Sequence, residues 1–132
     1  MEYVIDGGRM GSLDEFYDEI SRVLIPGQEW GRNLDAFNDI LRSGFGTPER
    51  GFTLRWTNSA VSRATLSYAE TARQLERQLA SCHPSNQETV RRKLTLARSG
   101  EGETVFDWLI EIISDHGPGG EQAEDNVRLI LD

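Results

Sequence analysis

The chain has 132 residues, with 22 acidic and 14 basic side chains and a formal net charge of -8. That length suits one domain, expected over residues 1–132, which buries roughly two-thirds of the surface its unfolded chain exposes. An acid excess of this size disfavours nucleic acid and anionic membranes as partners and favours basic proteins. The charge is uneven: residues 60–100 hold seven basic groups (Arg63, Arg73, Arg77, Arg91, Arg92, Lys93, Arg98) against three acidic ones, which leaves -12 on the rest. The single cysteine, Cys82, cannot form an internal disulfide, and a reducing compartment is the simplest reading. Met1 to Asp6 is too short in apolar run and too acidic for a signal peptide, and no later stretch is apolar enough to span a bilayer. A cytoplasmic location is expected.

Tyr3-Val4-Ile5 followed by Asp6-Gly7-Gly8 predicts a short strand ending in a turn. Ser12-Leu13-Asp14-Glu15 has capping-box spacing, and Leu13, Phe16, Ile20, Val23 and Leu24 then recur at helical spacing until Pro26-Gly27. Asn33 is a good cap for a second helix with an apolar stripe of Leu34, Phe37 and Leu41 beside Ile40, broken by Gly44, Gly46, Pro48 and Gly51. Phe52 to Trp56 alternates as a strand does. Ser67 to Glu70 has capping-box spacing again and leads into Ala69, Ala72, Leu75 and Leu79. Pro84-Ser85 ends that piece, and Ser85-x-x-Glu88 opens another carrying Val90, Leu94 and Ala97. These two pieces predict a helical hairpin, followed by a Gly100-Glu101-Gly102 hinge. Thr104 to Ser114 is again helical, with Val105, Trp108, Leu109 and Ile112 inward. A glycine-rich loop then precedes Val127–Leu131, whose nearly continuous apolar run reads as an inner parallel strand. The fold class is α/β: a small three-stranded parallel sheet packed with helices.

The stretch Trp30-Gly31-Arg32-Asn33-Leu34-Asp35-Ala36-Phe37-Asn38-Asp39 resembles the signature of the barstar family, an aromatic-Gly-x-Asn-Leu-Asp-Ala run leading into a helix. The Val4-Ile5-Asp6-Gly7 strand, the Phe52–Trp56 strand and the closing strand follow in the order that family has. The resemblance covers residues 1–57 and about 103–132, with residues 60–100 mostly an insertion. It implies a barstar-like fold and an intracellular protein inhibitor of a secreted, guanyl-specific microbial ribonuclease, kept in the bacterial cytoplasm and forming a one-to-one complex. It also implies that Asp39 is the dominant enzyme-contacting carboxylate, Asp35 a second, and Glu111 and Asp115 further ones. Glu29, Asn38 and Gly44 stand where the family commonly has aromatics, so the target enzyme is open even though Trp30 remains next door.

The residues themselves point the same way. Asp35 and Asp39, four apart, project from one helix face about one turn apart, with Asn38 and Arg42 nearby. Two carboxylates so placed can stand in for phosphate oxygens, because a ribonuclease active site must hold cationic groups. A carboxylate paired there with an arginine is charge-assisted and can be bidentate. At ~4 Å and an effective dielectric of about 20, each such pair gains on the order of 4 kcal/mol before desolvation is subtracted. An acidic residue in a first turn also simply suits the helix dipole. Glu111 and Asp115 repeat the spacing, as partner contacts or as a solvated helix face. Trp30-Gly31 is either an interface loop or a hydrophobic staple, and Arg32 either orients the acidic face or sits in solvent.

The expected partner-binding set is Glu29, Trp30, Gly31, Asn33, Asp35, Asn38, Asp39, Arg42, Glu111 and Asp115. No cofactor or metal is expected: His83 and His116 lack partners at metal-ligand spacing and read as surface histidines. No nucleophile, base and orienting residue can be assembled, so no enzyme is expected. Arg91-Arg92-Lys93 reads as the outer face of a helix. Two further functions stay open: an immunity protein against a different nuclease toxin, and a regulatory module that binds through the basic hairpin.

Overall fold

A computed structural model describes residues 1–42 and 46–132. The strands are β1 (Glu2–Asp6), β2 (Phe52–Thr57) and β3 (Val127–Leu131). The helices are α1 (Leu13–Val23), α2 (Leu34–Ile40), α3 (Ser59–Thr65), α4 (Tyr68–Ser81), α5 (Gln87–Arg98) and α6 (Val105–Asp115). The strands pair in parallel in the order β1-β2-β3, Ile5 opposite Trp56 and Phe52 opposite Val127. This is the expected three-stranded parallel α/β architecture.

β2 is the central strand, and Phe52, Leu54 and Trp56 point alternately into the core. β3 is an edge. The sequence reading of an inner strand is corrected here: of its apolar run only Val127 is buried, and Leu131 is exposed. Its outer-face neighbour in β2, Arg55, ties the strand ends together through Glu2 (2.9 Å) and Asp132 (2.6 Å). Two glycines are required by close approach. A Cβ on Gly7 would lie 2.3 Å from Ser62 Oγ, and one on Gly51, at φ 90°, would lie 2.2 Å from the Asn126 carbonyl.

The main core joins Ile5, Phe16, Ile20, Phe37, Leu54, Trp56, Phe106 and Leu109. Trp56 is wholly buried, and its indole N–H donates to Ser62 Oγ at 2.9 Å, as an aromatic N–H inside a core must. Ser62 belongs to α3, a helix the sequence reading lacks. A second cluster of Leu75, Val90, Leu94 and Ala97 holds α4 against α5 as the expected hairpin, and Trp108 packs against both clusters.

Helix starts carry two corrections. At Ser67 no side-chain cap forms, and the Glu70 carboxylate, rather than closing a capping box, accepts the Leu13 N–H of α1 at 2.7 Å. Ser85 lies in a single turn of tighter helix, Pro84–Asn86, capped by the His83 ring, and α5 starts at Gln87 with Glu88 paired to Arg92. Thr104 and Asp107 form the reciprocal capping box, at the start of α6. α2 ends at Ile40, before the glycines that were expected to break it; Gly44 lies outside the described residues.

Candidate functional site

Asn33 ends the loop after α1 in extended backbone, and its Oδ1 accepts the Ala36 N–H at 2.8 Å, starting α2 as its sequence predicts. Phe37, Ile40 and Leu41 are buried, Leu34 half-buried. Burying that stripe sends Asp35 to the surface and leaves Asp39 about half exposed. Asp39 sits 3.6 Å from Arg42, a loose surface pair of small worth. Asp35 has no hydrogen bond or ion pair among the described residues. On α6, Glu111 is exposed and Asp115 half-buried, and their carboxylates are equally without partners among the described residues.

What brings the two helices together is His116. Read from the sequence as a surface residue, it is wholly buried, because it caps α6 just where the chain turns back under α2 toward β3. Its Nε2 lies 2.7 Å from Asn38 Oδ1, its Nδ1 2.6 Å from Asp125 Oδ2, and its carbonyl accepts the first N–H of β3 at 2.8 Å. The Asn38 amide has a donor end and an acceptor end, so either state of the ring is satisfied by a half-turn of the amide. Asn38 therefore faces inward and anchors α2, one residue before Asp39.

The loop before α2 is also tied down. The Trp30 indole N–H donates to Ser21 Oγ at 2.6 Å, and its ring meets Tyr17 edge-on at 5.3 Å. Trp30 thus packs against α1 and stays partly exposed. Arg32, at φ 50°, pairs with Asp18 and donates to the Asp14 carbonyl at 3.3 Å, so it is bound to α1 rather than free in solvent. Gly31 and Glu29 are exposed beside it.

Buried carboxylates behave differently. Glu19 accepts the Asp6 N–H at 2.8 Å and a two-pronged contact from Arg22; Glu70 repeats the arrangement with Leu13 N–H and Arg73. Burial alone raises each pKa, but the arginine and backbone donors together outweigh it, and both lie below the ordinary glutamate value. Among the described residues no three metal-ligating side chains cluster, and no helix is long and apolar enough to cross a membrane.

A parallel three-stranded sheet packed with helices, two of which, α2 and α6, are joined through His116 and carry accessible carboxylates, defines a small α/β protein. The family model described as Barstar (barnase inhibitor) matches residues 1–97, most of the chain, and the chain belongs to the barstar family. The match runs through α4 and nearly all of α5, the stretch read from sequence as an insertion, and stops before α6 and β3. A search of curated proteins finds no significant match.

Proposed function

We propose that the protein is a stoichiometric inhibitor of a secreted guanyl-specific ribonuclease, blocking its active site with the acidic face of α2 and α6 in a one-to-one complex in the cytoplasm. The observation that carries this reading is the state of the carboxylates. Asp35, Glu111 and Asp115 have no partner among the described residues, and Asp39 has a loose one, while the buried acids of the same chain are fully paired. Charges left unpaired on two helices joined through His116 are available for a cationic site. The hydrogen bonds that tie Asn38 to His116 and Trp30 to Ser21 engage the polar groups of two expected contacts, and this favours a second reading: immunity against a nuclease whose surface around the cationic site differs.

Titration into purified guanyl-specific ribonucleases tests the first reading. Inhibition should saturate at one equivalent. Asp39→Ala should weaken it by on the order of a hundredfold, since an enzyme cation buried without its partner costs about 3 kcal/mol. Absence of inhibition by folded wild-type protein across such enzymes would overturn it.

A further inference from the structure

Beside the acidic face lies an open cleft of about 500 Å³ between the start of α2 and the outer side of α4. Asp35 and Arg32 form one wall, Arg77, Gln78 and Ser81 the other, and Trp108 also lines it. We infer that this cleft is part of the ribonuclease interface, receiving an uncharged polar loop of the enzyme next to its cationic site. The inference rests on the inhibitor reading above and extends it to α4.

Size carries the argument first. A stable protein interface takes about 800 Å² from each partner, some 20–30 residues. α2 has seven residues and is about 10 Å long, so its acidic face alone is far too small. α6 extends the face on the Glu111 side. On the Asp35 side the next surface is the α4 wall, and a protein body covering Asp35 must come up against it.

Chemistry narrows the occupant. The two cleft arginines are already engaged, Arg32 with Asp18 and Arg77 with Asp14 at 3.4 Å. The Gln78 amide has no partner among the described residues, and Ser81 uses its proton on the Arg77 carbonyl at 3.3 Å, leaving its oxygen free to accept. With Asp14 and Asp35 also in the lining, two acids balance two bases and the cleft carries no net formal charge, so its free amide and hydroxyl groups suit the peptide groups of an uncharged polar loop.

The test uses full-length protein and a guanyl-specific ribonuclease that the wild type inhibits. Ser81→Trp and Gln78→Trp fill the cleft from exposed helix positions, and each should weaken binding tenfold or more. Thr89→Trp, on exposed α5 outside the cleft, should bind as wild type does. Hydrogen exchange at residues 78–82 should slow in the wild-type complex, a readout that stands if a tryptophan variant fails to fold. Wild-type affinity in both cleft variants, with Asp39→Ala still impaired, would overturn this inference and leave the inhibitor reading intact. Failure of every ribonuclease to bind would overturn both.

Discussion

The carboxylates of α2 and α6 and those of the α4–α5 hairpin stand in opposite states. In the hairpin every carboxylate is matched: Glu70 with Arg73, Glu76 with Arg98, Glu88 with Arg92. On the acidic face three of four carboxylates have no partner among the described residues. Of the hairpin pairs, the buried one at Glu70 bears on the fold and the exposed ones add little; under the proposed function the unpaired carboxylates are the ones that meet the partner. The contrast also bears on the view of residues 60–100 as a separable insert. Through Glu70 and Thr71 the hairpin supplies acceptors to the first N–H groups of α1 and α6, at 2.7 and 2.8 Å, so its removal would leave one N–H without its acceptor at the start of each.

If this division holds, Glu70→Gln and Glu19→Gln should each lose about 2 kcal/mol of stability, the partner arginine being half exposed and able to recover solvent. Urea midpoints would show it. A loss below the error of that measurement would show that the buried pairs do not hold the fold. The same two groups set the acid limb. Their folded pKa values lie below the ordinary 4.5 of the unfolded chain, so the unfolded state binds more protons in that interval. Their contribution is present in full above about pH 4.5 and falls away as pH drops through the folded values. Stability against pH should therefore be flatter below pH 4.5 in the Glu19→Gln, Glu70→Gln double variant than in wild type. The smallest effect belongs to the other region: Asp35→Asn and Glu111→Gln should change stability by less than about 0.5 kcal/mol while weakening ribonuclease binding. A clear stability loss there would show these carboxylates to be structural.

Much of the frame was legible in the sequence because it rests on local chemistry. Ser12 and Asn33 cap helices where their spacing predicts, and the alternation of Phe52–Trp56 marks the one strand with one buried face and two neighbours. What was not legible depends on distant groups. Glu70 has capping-box spacing from Ser67, yet its carboxylate is drawn to Leu13 by an amide 57 residues away in the chain. His116 follows an apolar helix with no pattern to mark it, and only the approach of Asn38 and Asp125 makes its burial tolerable. α3 was missed because Ser59-Ala60-Val61-Ser62-Arg63-Ala64-Thr65 has no apolar stripe; its buried member is a serine serving Trp56. Of the expected site, the exposed acids were readable from helical spacing, whereas the inward turn of Asn38 was not.

The long-range caps also set an order of events in time. Contacts within the hairpin are local and cheap in loop-closure entropy, while the Glu70–Leu13 and Thr71–Val105 bonds close loops of 57 and 34 residues. The hairpin can assemble early, but the first turns of α1 and α6, capped locally by Ser12 and by Thr104 with Asp107, each keep one open N–H until it docks. Their amides should gain protection together with docking, which makes the hairpin the step that commits the rest of the chain to its native state.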